Sequence, residues 1–104
     1  MKSSADVVYR DFDSSPALTS IIEKRLEKLG RFSDSIMSTR VVLESPHNHK
    51  HKGKMFRACI EMAVKGSPVT VTHDDPSVHV AVRDAFQAAE RKIKEVEERR
   101  RVSH

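Results

Sequence analysis

Apolar residues recur at alternate positions in four segments of the chain and at helical spacing in two others. Alternation is typical of a strand with one buried face, whereas recurrence every three or four residues is typical of an amphipathic helix. In chain order, the segments predict β-α-β-β-β-α. Two helices with one apolar stripe each can cover only one face of a four-stranded sheet. We therefore expect an α+β fold with both helices packed on one face of the sheet.

Local signals predict where the two helices begin and end. The first helix has Ser15 as its N-cap, Pro16 at its first position, and Gly30 as its C-cap. The second helix repeats the opening signal with Asp75 and Pro76, and its apolar stripe continues to about residue 100.

The open face of the predicted sheet is expected to meet solvent or a partner. The alternation places Arg40, Arg57 and Glu61 on that face. A tight turn precedes the last strand, because glycine and proline stand together there. The predicted strands lie at 5–9, 36–44, 55–62 and 69–72, and the turn lies at 66–68.

The chain of 104 residues predicts one domain, 1–104, located in the cytoplasm. No stretch approaches the roughly 18 apolar residues of a membrane span, and no signal-peptide pattern opens the sequence. Cys59 is the single cysteine, which agrees with a reducing compartment. We expect neither membrane association nor a small-molecule substrate.

The net charge of +4 is concentrated in one segment. Residues 45–60 contain four cations and no acid, while the rest of the chain holds fifteen of each. This segment predicts a loop that contacts RNA phosphates, with histidines that add charge below about pH 6.5. The alternative is a solvated basic loop that has no binding partner. The predicted RNA contacts of the loop are His47, His49, Lys50, His51, Lys52 and Lys54.

Metal binding is a rival interpretation of the same loop. Histidines at every second position could bind zinc or copper. However, no cysteine or carboxylate has matching spacing, and the adjacent lysines repel a cation. We therefore assign no metal and no cofactor.

The first helix offers a second basic surface. Lys24, Lys28 and Arg31 cluster on one flank of the apolar stripe, and two glutamates lie further round. Arg25 projects near the middle of the stripe, so either its stem packs while its head reaches solvent, or the helix end overhangs the sheet. These four cations are candidate RNA contacts, although an ordinary charged helix face would have the same pattern.

The second helix carries mixed charges. Arg83, Arg91 and Lys92 are further candidate RNA contacts. Three glutamates each stand four residues before a cation, which is the arrangement that stabilises an isolated helix. A structural role is therefore favoured over RNA contact for much of this surface.

Catalysis finds little support in the sequence. The chain has three glycines, no glycine-rich phosphate loop and no nucleophile elbow. Cys59 lies in a strand without a base placed beside it by the sequence. Few aromatic side chains are present to stack on single-stranded bases, so recognition of folded RNA by shape and phosphate fits better. We expect a binding protein and no enzyme.

An ordered set of short segments resembles the ribosome hibernation family, which includes hibernation-promoting factor and ribosome-associated inhibitor A and is also called the sigma-54 modulation family. The likeness covers nearly the whole chain, and the loop resembles a histidine-rich branch of the family. The chain also resembles its short class, because it stops after the second helix. The segments are 15–18, 25–29 with Phe32, 40–44, 46–54 and 80–86.

The resemblance implies binding of the small ribosomal subunit and its ribosomal RNA, in the channel of messenger and transfer RNA. Translation would be blocked sterically, under stress or in stationary phase. Arg25, Lys28 and Arg91 match basic positions of the family. Ala88, Glu95 and Glu97 stand where family members tend to carry lysine, which predicts a weaker grip by the second helix.

Two other classes of function remain open from the residues alone. One is a metal-binding module that uses His47, His49 and His51. The other is a protein-interaction module that uses the open face of the sheet. Oligomeric state is not determined by the sequence.

Overall fold

The computed structural model describes residues 4–45, 55–65 and 67–102. Its elements follow the predicted order. They are β1 (Ser4–Arg10), α1 (Pro16–Gly30), β2 (Ile36–Glu44), β3 (Phe56–Val64), β4 (Ser67–Asp75) and α2 (Val78–Val102).

The four strands form one sheet in the order β1-β2-β3-β4. β1 and β2 are parallel and are joined through α1, whereas β2, β3 and β4 pair antiparallel. One row of the ladder joins Arg10, Glu44, Arg57 and Asp74 across all four strands. Because α1 and α2 both start beyond this row, they run in the same direction back along the sheet.

A single apolar core lies between the sheet and the helices. Ile22 and Leu29 from α1 and Phe86 and Ile93 from α2 are almost fully buried, together with Ile60 at the centre of β3. The predicted α+β fold, with both helices on one face of a four-stranded sheet, is confirmed. Burial of these side chains against the sheet stabilises each helix far more than its own propensity does.

The start of α1 was predicted correctly, and its end was not. The Ser15 hydroxyl accepts a hydrogen bond from the Leu18 amide at 3.2 Å. Gly30, however, is the last helical residue, and Arg31 is the C-cap with φ of −82°. The Arg31 amide bonds the Lys28 carbonyl at 3.1 Å, so a tightened last turn closes the helix without a left-handed residue.

α2 begins two residues later than predicted. Asp75 is the last residue of β4, and Ser77 is the cap, because its hydroxyl accepts from the Val80 amide at 3.3 Å. The Asp75 carboxylate accepts instead from the Ser77 amide at 2.8 Å. Asp75 therefore holds the turn before the helix, and Pro76 lies in that turn rather than at the first helical position.

β4 is longer than predicted, and Ser67 and Pro68 belong to it rather than to a turn. Pro68 lies opposite Ala63 in the ladder. An edge strand tolerates proline because its missing N–H can face away from the sheet. Gly66, the first residue of the predicted turn, lies outside the described residues.

An aromatic cluster closes the core at the end of the sheet where β1 leads into α1. Asp11 has a left-handed backbone with φ of 67°, which aspartate tolerates better than most residues. The chain thereby turns Phe12 onto the ring edges of Tyr9 and Phe56, each with ring centroids 5.4 Å apart. The Tyr9 hydroxyl also lies 2.8 Å from Thr19 Oγ1, which joins β1 to the first turn of α1.

Among the described residues, no helix is long and apolar enough to cross a membrane.

Candidate nucleic-acid interface

The exposed residues of α1 divide into two flanks. One flank lines a groove between α1 and β1, and Glu23, Lys24, Glu27 and Arg31 lie along it. At about 100° per residue, Arg25 and Lys28 belong to the other flank, which lies towards α2. The predicted cluster of Lys24, Lys28 and Arg31 is therefore shared between two surfaces.

Arg25 is half-buried, whereas Lys28 is exposed. This burial follows from the position of Arg25 beside α2, where its aliphatic stem can pack while its guanidinium stays near solvent. Packing of the stem therefore explains why Arg25 lies close to the apolar stripe. The guanidinium is still able to contact RNA.

Two contacts determine which part of α1 lies beside which part of α2. The Lys94 ammonium lies 5.1 Å from the centroid of the Phe32 ring, and the Ser33 hydroxyl donates to the Glu97 carboxylate. With the usual rise of about 1.5 Å per residue, these contacts place Arg25 and Lys28 level with the part of α2 between Arg83 and Arg91.

Cations of both helices therefore lie along the seam between α1 and α2, together with the half-buried Glu90 and Glu97. We call this seam the helix cleft and define it by Arg25, Lys28, Arg83, Arg91 and Lys94. All except the half-buried Arg25 are exposed. Exposed lysines and arginines on one side of the molecule can donate to phosphate oxygens of a folded RNA.

Lys94 is a member of the helix cleft that the sequence did not single out as an RNA contact. Glu90 stands four residues before it, a spacing that favours a helix-stabilising pair, yet its ammonium lies over Phe32. The sequence signal that could have identified Lys94 is Phe32, two residues beyond the end of α1. A lysine of α2 can stack on that ring only if the two helices lie close together.

The three predicted RNA contacts on α2 differ in charge compensation and in the flank of the helix on which they lie. Arg83 donates to the neighbouring Asp84, with 3.2 Å between its Nε and the Asp84 Oδ1, so its charge is partly compensated. Lys92 is exposed but lies on the other flank of α2 from Lys94, by the same helical geometry. Of the three predicted contacts on α2, Arg91 is thus the one best placed to act together with Lys28.

The predicted contacts in the loop lie outside the described residues. This applies to His47, His49, Lys50, His51, Lys52 and Lys54. The flanking residues Ser45 and Met55 lie at the sheet end where α1 and α2 begin. Lys28 lies more than three turns along its helix, on the order of 18 Å from that end. Residues 46–54 therefore leave the sheet at one end of the molecule, whereas Lys28 of the helix cleft lies towards the other end.

The open face of the sheet has a different electrostatic character. Its two charged rows hold three arginines and four acids: Arg10, Glu44, Arg57 and Asp74 in one, Asp6, Arg40 and Glu61 in the other. In the first row, ion pairs join Arg10 to Glu44 at 3.4 Å and Arg57 to Asp74 at 2.9 Å. The open face is thus close to neutral, and much of its charge is already paired.

The hydrogen bond with Asp74, together with the attraction of its charge, raises the pKa of Arg57 above its ordinary value. Arg57 therefore stays charged and engaged with Asp74 at any physiological pH. Cys59 lies two residues along β3, half-buried and as a free thiol.

No cluster of three or more histidine, cysteine or acidic side chains could hold a metal within the described part of the chain. The proposed metal ligands His47, His49 and His51 lie outside it, so metal binding by the loop stays a hypothesis.

Comparison with known proteins bears on the whole fold. No curated protein sequence matches the chain. The N-terminal domain of Protein Y from Thermus thermophilus superposes with a TM-score of 0.75 at 23% identity, over 91% of this chain and 99% of that one. A ribosomal subunit interface protein from Coxiella burnetii gives a TM-score of 0.75 at 15% identity, over 91% and 98% of the two chains.

At these identities, the two structures establish a shared fold. The sequence itself matches the family model described as sigma 54 modulation protein / S30EA ribosomal protein over residues 5–101, which is nearly its full length. The resemblance inferred from the residues is confirmed at the level of the family. The chain belongs to the sigma 54 modulation protein / S30EA ribosomal protein family.

Proposed function

We propose that this protein binds the small ribosomal subunit through its ribosomal RNA, occupies the channel used by messenger and transfer RNA, and thereby silences translation. Family membership and the fold shared with a ribosomal subunit interface protein support the ribosome as the partner. The charge distribution supports ribosomal RNA as the part of the ribosome that this protein contacts.

The observation that carries the proposal is the contrast between the two faces of the molecule. The helical side gathers Arg25, Lys28, Arg91 and Lys94 around one cleft between α1 and α2. On the open face of the sheet, acids outnumber cations and Arg57 is held by Asp74. Polyanionic RNA is attracted to the first surface and gains nothing from the second.

The proposed inhibition requires occupancy alone. A folded domain that fills the channel excludes messenger and transfer RNA by volume, with no covalent step and no cofactor. The lysines and histidines of residues 47–54 extend the proposed contact beyond the helix cleft. We place this activity in the cytoplasm of stationary-phase or stressed cells, where idle ribosomes accumulate.

Sedimentation with purified ribosomal subunits tests the proposal. At low salt, the protein should co-sediment with small subunits and not with large ones, and prior loading of messenger and transfer RNA should reduce the bound fraction. Translation in a reconstituted system should fall in proportion to occupancy. Failure to co-sediment with small subunits at low salt would refute the proposal.

A matched pair of variants assigns the contact to the helix cleft. Arg25→Gln with Lys28→Gln removes two charges from the cleft, and Arg40→Gln with Lys65→Gln removes two from exposed positions elsewhere. We expect the first double variant to lose at least about tenfold in affinity, or about 1.4 kcal/mol. The second should stay within about twofold of the wild type.

A further inference from the structure

The groove on the β1 side of α1 is not explained by RNA binding. It has a volume of about 1170 Å³ and runs between α1 and β1, away from α2. Its apolar floor is incompletely covered, since Ala5 is exposed while Val7 and Leu26 are half-buried. We call it the β1 groove.

The β1 groove is acidic in a chain that is otherwise basic. It is lined by three carboxylates and two cations, and none of these five forms an ion pair within the part of the chain that the structure describes. The net charge of the groove is therefore about −1, against +4 for the whole chain. The carboxylates are Glu23, Glu27 and Asp34, and the cations are Lys24 and Arg31, whereas the Asp6 side chain belongs to the open face of the sheet.

Two of these acids repel each other. Glu23 and Glu27 lie one helical turn apart on the same flank of α1 as Lys24 and Arg31, and a like-charge pair at this spacing destabilises a helix by a few tenths of a kcal/mol. An occupant with positive charge would relieve this repulsion.

Two polar features of the β1 groove also lack partners. Thr39 is only 7% exposed, yet its side chain makes no hydrogen bond to any described residue. β1 is an edge strand and pairs only with β2 among the described strands. Its outer edge therefore presents backbone N–H and C=O groups to the mouth of the groove.

We propose that the β1 groove binds an extended segment of another protein in which lysine or arginine alternates with small apolar residues. Such a segment adds a fifth strand beside β1 through backbone hydrogen bonds. The stems of its basic side chains lie on Val7 and Leu26, while their charged ends reach Glu23 and Glu27. This site is separate from the helix cleft and does not depend on the proposed function.

The chemistry of the groove favours a basic peptide over the alternatives. An RNA backbone would bring its phosphates against Glu23, Glu27 and Asp34. A metal ion has no cluster of three ligands among the described residues. A basic peptide gains nothing from the overall positive charge of the chain, so its binding requires this local acidic surface.

Fluorescence anisotropy with a labelled peptide tests the proposal. The probe is a synthetic peptide of alternating lysine and valine, as long as the seven residues of β1. Wild type should bind it, and Glu23→Gln with Glu27→Gln should weaken binding by about tenfold or more. A control with the same charge change, Glu95→Gln with Glu98→Gln on exposed α2 positions, should bind within about twofold of the wild type. Thermal melts should show both variants folded.

Two further measurements separate strand addition from simple charge attraction. A probe with proline in place of valine lacks half of the backbone N–H donors and has φ fixed at about −65° at those positions, so it should lose binding. Equal weakening in both glutamate variants, or retained binding of the proline probe, would overturn the proposal. An RNA occupant would be revealed if Glu23→Gln with Glu27→Gln raised affinity for an RNA hairpin far more than the α2 control did, and this also overturns it.

A failure of the proposed function can be distinguished from a failure of peptide binding at the β1 groove. Arg25→Gln with Lys28→Gln should weaken ribosome binding and leave peptide affinity unchanged, because these side chains lie on the other flank of α1.

Discussion

Arg57 on β3 and Asp74 on β4 stand directly opposite each other and form a bidentate ion pair. The Arg57 Nε lies 2.9 Å from Asp74 Oδ1, and a terminal guanidinium nitrogen lies 3.1 Å from Oδ2. Arg57 also approaches Glu44 on β2 at 4.0 Å. One arginine therefore connects three strands on the open face, at the sheet end from which residues 46–54 depart.

We expect Asp74→Asn to lower the free energy of unfolding by less than about 1 kcal/mol, because both partners are roughly 40% exposed. The raised pKa of Arg57 means that the pair contributes fully below the ordinary arginine pKa and is lost only as pH rises through the raised value. Urea unfolding of variant and wild type should therefore differ by the same amount at neutral pH and at about pH 9. A difference that disappears by pH 9 would contradict this assignment.

The salt dependence of RNA binding should report the individual phosphate contacts of the helix cleft. Each cation that contacts a phosphate releases counterions, so Arg25→Gln should reduce the slope of log affinity against log salt by about 1. Arg40→Gln, which removes one charge from the open sheet face, should leave the slope unchanged. The measurement is a salt titration of binding to small-subunit RNA. Equal slopes for the two variants would show that Arg25 does not touch phosphate.

Two glutamates of α2 should have separable roles. Glu97 is half-buried and accepts a hydrogen bond from the buried Ser33 hydroxyl, so Glu97→Ala should destabilise the fold by about 1 kcal/mol. Glu95 is exposed, so Glu95→Ala should change stability by less than about 0.5 kcal/mol and strengthen RNA binding by removing a repulsive charge. Urea unfolding and RNA affinity measured on both variants check this. If Glu97→Ala left the unfolding midpoint unchanged, the structural role would be wrong.

Replacing Gly30 by alanine should stabilise the protein. Gly30 is helical, and a Cβ built there would meet no atom within 4 Å. Alanine reduces the backbone freedom of the unfolded chain, which should raise the free energy of unfolding by about 0.5–1 kcal/mol. Thermal unfolding measures this, with Gly30→Val as a control whose β-branching should remove much of the gain. A loss of stability on Gly30→Ala would restore the C-cap role that the sequence predicted.

The errors at helix and strand ends concern residue types that fit more than one local position. Gly30 and Asp75 are residue types that commonly cap helices, but Arg31 and Ser77 occupy the capping positions, and local hydrogen bonds to the Lys28 carbonyl and from the Val80 amide hold them there. Pro68 has strong turn character, yet it pairs within β4 because an edge position tolerates it. Local signals identified the elements and missed these boundaries.

The candidate site was only partly predictable from the sequence. The sequence identified Arg25, Lys28 and Arg91 as basic residues, but their common surface depends on which flank of α1 faces α2. The acidic β1 groove was not foreseen at all. Its members come from β1, α1 and the segment before β2, and they share no spacing along the chain.

Periodicity by itself determined the order of elements and the covered face of the sheet, because burial of apolar stripes leaves few arrangements for two helices and four strands. The family followed from the resemblance of short ordered segments. Tertiary structure alone decided how charge is distributed around that frame. It paired Arg10 and Arg57 of the open face with acids, placed Lys94 over Phe32, and placed both glutamates of α1 on the flank that faces β1. Electrostatic surfaces are set by distances between side chains remote in sequence, and these exist only once the chain has folded.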